Sequence, residues 1–177
     1  GIEGAARQAE ALYLGALAVL KRCGGGFESV VSETVFLRGL PIHLAGVRES
    51  RAQVVTASGT SVYRPARLEF EQPPLDPHAV LEVAIQAVVP KAEVQFETVA
   101  LAPRCHCGEC APPSGIAVRL GDHARFYSLG VSGEGRDAYA QTETMFANAA
   151  DLLPEVGMDF SHVVRTWIHL REIDRDY

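Results

Sequence analysis

The sequence predicts an α+β protein of two related half-units, each a helix laid against a sheet. Two observations predict it. Residues 8–38 lie without a gap on residues 141–171, at a separation of 133 (141 minus 8). The pairs Gln8/Gln141, Glu10/Glu143, Ala16/Ala149, Leu20/Leu153, Gly24/Gly157, Phe27/Phe160, Val30/Val163, Val31/Val164, Leu37/Leu170 and Arg38/Arg171 are identical. Both copies also run through the same periodicities in the same order, first helical, then a glycine, then two-residue alternation.

In the first copy, Ala9, Leu12, Tyr13, Ala16 and Leu20 mark a helix with one buried stripe, and Thr142, Met145, Phe146, Ala149 and Leu153 repeat it. Gly24 and Gly157 stand where a left-handed C-cap relieves the last carbonyls. A strand follows in each. Val31, Glu33, Val35 and Leu37 alternate with Val30, Ser32, Thr34 and Phe36, and Val164, Thr166, Ile168 and Leu170 alternate with Val163, Arg165, Trp167 and His169. After Gly39-Leu40-Pro41, a second helix is expected over Ile42–Ala57, with a poor apolar stripe and Gly46 inside it. Pro65-Ala66-Arg67 leads into a half-buried strand, Leu68 to Glu71.

Val80–Val89 reads as a short, well-covered strand and Val94–Leu101 as an edge strand. Pro103–Gly115, rich in proline, glycine and cysteine, excludes regular structure. It divides a first unit, residues 1–102, from a second, residues 116–177, with 103–115 as the linker. Ile116–Leu120 and Arg125–Leu129 form a β-hairpin around Gly121-Asp122. Gly130–Gly135 resembles a phosphate loop, but no lysine follows, so it reads as the turn into the next helix.

The totals narrow the function classes. A formal charge of -6 speaks against a phosphate-backbone groove, which needs clustered Lys and Arg. No window approaches the roughly 20 apolar residues of a membrane span. The expectation is a soluble, cytoplasmic protein with no nucleic-acid or membrane partner. Cys23 stands alone, whereas Cys105, Cys107 and Cys110 crowd one loop at C-x-C-x-x-C spacing. Such thiols read as soft metal ligands, zinc first, with His106 or His123 as a fourth, in a closed structural site. The alternative is a linker with reduced thiols or a local disulfide.

Val131-Ser132-Gly133, then Gln-x-Glu opening a helix, a Gly-x-x-Phe turn, a Val-Val-x-x-x-x-x-Leu strand, and Pro65-Ala66-Arg67 before a strand resemble the Rid family, the YjgF-like reactive intermediate deaminases. The resemblance covers most of the chain outside the cysteine loop. It implies a chorismate-mutase-like sheet backed by helices, and homo-oligomers, a trimer or a pseudo-hexameric ring, with sites between subunits. The implied activity is hydrolysis of enamines and imines that bear a carboxylate, with no cofactor required for catalysis. Against the family's order, the first copy lacks its opening hairpin and the second its later elements. The expectation is a piece of a longer tandem protein, with a permuted single unit as the alternative.

By the same resemblance, Arg67 grips the substrate carboxylate, a task suited to a planar guanidinium fork. The residue-level alternative is a surface arginine paired with Glu69 or Glu71. Glu69 shares a strand face with Arg67, either orienting water as a base or neutralising the arginine. Ala84 occupies the place of the family's water-holding glutamate, and Arg48 falls near an expected asparagine. Tyr127 and Ser132 are candidate ligand contacts at the hairpin end, with packing as the alternative. Trp167 and His169, beside Arg165, line a cleft or pack. Three functions are thus open: a deaminase, a non-catalytic small-molecule-binding or structural relative, and a chorismatase-like biosynthetic enzyme on a tandem scaffold.

Overall fold

A computed structural model describes residues 2–89, 91, 94–101 and 114–171. Helix α1 (Ile2–Arg22) buries Ala5, Ala9, Tyr13 and Leu20, whereas Leu12 of the expected stripe remains 40% exposed. Helix α2 (Leu40–Ala57) starts with Pro41 in its first turn and buries Val47, Ser50, Arg51, Val54 and Val55. That face has proper helical spacing, but two of its members are polar, which is why its apolar pattern reads poorly. A Cβ on Gly46 would lie 3.8 Å from the Cβ of Ala6, so small residues let the two helices approach closely.

The helices cover one face of a three-stranded sheet in the order β2-β1-β3, with β1 Val30–Leu37, β2 Ala66–Glu71 and β3 Leu81–Ala87. β2 runs parallel to β1, as the α2 crossover requires, and β3 runs antiparallel to it. Cross-strand partners share a face, so the registers Glu33↔Arg67, Val35↔Glu69 and Leu37↔Glu71 put all six side chains on the helix side. β3 was expected to be well covered. It is an edge strand instead, with Glu82, Ala84 and Gln86 exposed and Val83 and Ile85 turned toward the helices.

A second sheet, β4-β5-β6, is antiparallel throughout and comprises β4 Gln95–Ala100, β5 Ser114–Leu120 and β6 His123–Ser128. The hairpin turns at Gly121-Asp122, with Gly121 at φ 60°. β4 therefore joins the strands of the second unit, and β5 starts at Ser114, inside the expected 103–115 linker. The division between sheets falls before residue 94. Val31 of β1 packs with Ile116 and Val118 of β5 between the sheets, and Val99 and Ala117 pack on the other side with Leu152 and Val156. Helix α3 (Ala138–Leu152) thus covers the outer face of the second sheet. The layers run helices, sheet, sheet, helix, a mixed α+β arrangement.

The repeat is real in the backbone. Gly24 and Gly157 have φ of 85° and 72°. Gly25 N–H donates to Leu20 O at 2.9 Å and Met158 N–H to Leu153 O at 3.0 Å; Gly24 N–H donates to Lys21 O at 3.0 Å and Gly157 N–H to Pro154 O at 2.9 Å. Single 3₁₀ turns follow at Phe27–Ser29 and Phe160–His162, and Val30 and Val163 leave them at φ, ψ of -77°, 123° and -76°, 116°. The copies then part. Val30 enters a strand paired on both edges, whereas residues 163–170, expected to be a strand, have no ladder partner among the described residues.

Candidate functional site

Glu33 is the one acidic residue in an otherwise apolar register of β1, and it is fully buried. A buried carboxylate is costly unless every lone pair finds a donor. Here each does. Oε1 accepts a short hydrogen bond from the Tyr13 hydroxyl of α1 and one of 3.2 Å from Arg51 Nη1 of α2. Oε2 accepts from the Tyr63 hydroxyl at 2.8 Å and from Arg67 Nε at 3.1 Å. Four donors fill the capacity of two carboxylate oxygens. Burial first, then the neighbouring Glu33 charge, pushes both tyrosine hydroxyls well above their usual range. They stay protonated and act as donors.

Glu69, two residues beyond Arg67, forms the second half of the cluster. Its Oε2 accepts from Arg48 Nε at 2.9 Å and again from Arg48 Nη2, and its Oε1 accepts from Arg51 Nη1 at 3.0 Å. Arg51 Nη1 therefore bridges both carboxylates. Burial alone would raise the Glu69 pKa, but the hydrogen bonds and charges of Arg48 and Arg51 outweigh it and hold the group below its ordinary value. For Arg51 too, burial is the largest single influence and opposes the charge, but Glu33, Tyr13 and Glu69 together outweigh it and hold the guanidinium protonated.

Arg67 is thus placed under the helix layer. Its partner is Glu33, neither Glu69 nor Glu71. Its guanidinium sits 5.7 Å from the centre of the Tyr63 ring, and 31% of its side chain is exposed. Among the described residues its only hydrogen bond is through Nε, so the terminal nitrogens retain donor capacity. Glu69 neutralises arginines as one reading expected, but the arginines are Arg48 and Arg51. Arg48 is the open member, with its side chain 56% exposed. Ala84 pairs with Thr34 on the sheet face opposite Glu33, so it does not adjoin Arg67.

The other candidates lie apart. Tyr127 packs between the sheets with Val31, Ile116 and Val118. Ser132 is exposed, and its carbonyl accepts from Asn148 Nδ2 at 2.8 Å, within a ladder in which Thr144 Oγ1 donates to Glu134 O and Gln141 Nε2 to Gly135 O. A Cβ on Gly133 would collide with the Gln141 carbonyl. Gly130–Gly135 is therefore the turn the sequence indicated, strapped along α3. His169 packs its ring 4.9 Å from that of Phe70, and Arg165 lies over Trp167. His123 is exposed. Cys105, His106, Cys107 and Cys110 lie outside the described residues, among which no group of three or more His, Cys, Asp and Glu is placed to hold a metal ion.

Sequence reasoning passed over Glu33, Tyr13, Tyr63 and Arg51. One signal was available, a carboxylate in phase with Val31, Val35 and Leu37. The repeat holds a second: at 133 residues' separation Tyr13 and Glu33 become Phe146 and Thr166, so the hydroxyl and its acceptor change together. The cluster belongs to the first half alone.

Fold and site together define an α+β protein of two facing sheets with a buried glutamate held by two tyrosines and two arginines. No protein-family model matches the chain, and no curated protein matches it.

Proposed function

We propose that the chain is a Rid-like protein that binds a small carboxylate-bearing metabolite at Arg67 without turning it over. One observation carries the reading: the cluster sets three guanidinium groups, Arg48, Arg51 and Arg67, against two carboxylates, Glu33 and Glu69. With both tyrosines neutral, one positive charge is unmatched. The exposure of Arg67 and its terminal nitrogens, unused among the described residues, suit a carboxylate, which accepts two parallel charge-assisted bonds. Its Nε bond to Glu33 orients the fork in advance, which lowers the entropic cost of binding.

Hydrolysis of an imine also needs a group that activates water. Glu69 is poorly suited, because both its oxygens are engaged by arginines and its low pKa makes it a weak base. Ala84 offers no carboxylate and lies on the other face. These points favour the non-catalytic reading over the deaminase and the chorismatase-like enzyme. Calorimetric titration with 2-oxoacids and simple carboxylates tests it, together with ammonia release from enzymatically generated 2-iminoacids. Binding lost in Arg67→Ala and no ammonia above the uncatalysed rate are expected. Undiminished binding in Arg67→Ala refutes the carboxylate site, and ammonia release abolished by that substitution refutes the lack of turnover.

A further inference from the structure

We infer that Gly130 and the strap that follows it are positioning elements for Arg67, so that the second half of the chain sets where the guanidinium fork of the first half stands. Gly130 lies between β6 and α3 at φ 71°, and a Cβ added to it would sit 3.2 Å from the Arg67 carbonyl oxygen and 3.9 Å from Leu68 Cδ1. The loop therefore rests on the main chain of β2 at the very residue that carries the fork. A residue without a Cβ takes both this left-handed conformation and this close approach free of strain.

Neither side of Gly130 is free to give way. Before it, Ser128 closes β6 opposite Gly115 of β5, and its hydroxyl donates to Ser114 O at 2.6 Å. After it, side chains of α3 hold the strap by its carbonyls: Asn148 Nδ2 donates to Ser132 O at 2.8 Å, Thr144 Oγ1 to Glu134 O at 2.7 Å and Gln141 Nε2 to Gly135 O at 2.9 Å. A Cβ on Gly133 would collide with Gln141 O, and one on Gly135 with Ala140 Cβ, so the strap is pressed onto the helix as well as bonded to it. Close packing of this kind transmits a displacement and does not absorb it. A push at Gly130 therefore goes into β2, whose ladder partner among the described residues is β1 alone.

On the far side of Arg67 the tolerance is small. Its Nε donates to Glu33 Oε2 at 3.1 Å, close to the upper end of the ordinary N–H···O range of about 2.7–3.2 Å. Glu33 stands on β1 and is fixed by Tyr13, Arg51 and Tyr63. A shift of β2 against β1 by a few tenths of an ångström, which a Cβ at position 130 demands, takes that bond out of range. The fork then loses its fixed bearing. The consequence for ligand binding rests on the carboxylate reading of Arg67, whereas the positioning does not.

The test follows Arg67 directly by nuclear magnetic resonance of the 177-residue chain carrying isotope-labelled arginine. The Arg67 Nε–H signal is the one lost in Arg67→Lys, and its hydrogen exchange measures the bond to Glu33. In Gly130→Ala that signal moves and exchanges roughly two- to tenfold faster, the worth of one weakened hydrogen bond. Gly121→Ala is the control: at φ 60°, with nothing within 4 Å of an added Cβ, it carries the same kind of backbone strain and leaves the signal in place. Asn148→Ala frees the strap, and in that background Gly130→Ala has a smaller effect than alone. Calorimetric titration with pyruvate runs beside these measurements, and binding weakened in Gly130→Ala but not in Gly121→Ala is expected. A wild-type chain without affinity for pyruvate counts against the carboxylate site, and the Nε–H comparison still decides the positioning. An Arg67 Nε–H signal that is the same in Gly130→Ala as in the wild type, or that Gly121→Ala moves as far, overturns the inference.

Discussion

Replacing Glu33 with glutamine tests whether the buried cluster holds the first half together. The side chain is fully buried and accepts four hydrogen bonds. Glutamine has nearly the same shape, keeps one acceptor oxygen and turns the other into a donor, so two of the four donors must face an NH₂ group. Arg51, its side chain 7% exposed, also loses one of its two carboxylates. Removing one member of a buried ion pair costs about 3–5 kcal/mol, because the partner charge stays desolvated. For a chain of this size each kcal/mol moves the melting temperature by roughly 2–4 °C, which gives a drop of roughly 6–20 °C. Thermal and urea denaturation followed by circular dichroism measure it. Arg119→Ala is the control: it breaks an ion pair with Glu97 that is open on both sides, the two side chains being 40% and 52% exposed, and it should cost less than about 1 kcal/mol. A loss under about 1 kcal/mol for Glu33→Gln, or equal losses for the two variants, refutes the view that burial makes this network matter.

Three further outcomes follow from the same geometry. Because the folded-state pKa of Glu69 lies below its ordinary 4.5, its contribution to stability is complete above that pH and is lost as pH falls through the folded value. Tyr13 and Tyr63 are raised above their ordinary 10.0, so theirs is complete below pH 10.0 and is lost as pH rises beyond it; melting temperatures across the range, with spectroscopic titration of the tyrosines, check both limbs, and a flat profile counts against the cluster. Gly24→Ala and Gly157→Ala meet no clash within 3.4 Å but place a Cβ on backbone at positive φ, so each should cost about 1–2 kcal/mol in denaturation; a neutral result at either position removes the shared glycine stop. Metal analysis of protein purified without chelator should find zinc bound through Cys105, Cys107 and Cys110, and absence of both zinc and iron retires the thiolate reading.

Local features were legible in the residues themselves. The periodicity of α1, the helical character of α3, Pro41 at the start of α2, the glycine stops at Gly24 and Gly157 and the hairpin at Gly121-Asp122 all depend on backbone preferences that act within a few residues, and spacing alone reports them. The stripe expected on α3 is not buried, since Phe146 is 38% exposed and Leu152 rather than Leu153 is enclosed. The α2 pattern was faint because Ser50 and Arg51 occupy its buried face, and nothing in the helix itself reveals that a carboxylate on β1 needs Arg51. Glu71 similarly caps α2 from the end of β2, accepting from Gly39 N at 2.8 Å and Leu40 N at 2.5 Å. These bonds hold its carboxyl below the usual range.

The residue types and repeats of the sequence therefore determined most of the segments that become helix or strand, residues 163–170 excepted, and that the helix, glycine stop and following turn occur twice. Only the tertiary structure decided that Arg67 answers to Glu33, 34 residues away, that β4 joins the later strands, and that one copy of the shared strand is enclosed while the other lies bare. The physical reason is that a helix or turn is stabilised by neighbours in the chain, whereas charge pairing and strand partnership are set by which desolvated groups packing brings together. Tyr13, Tyr63, Arg51 and Arg67 converge on one carboxylate because two helices and two parallel strands close over it.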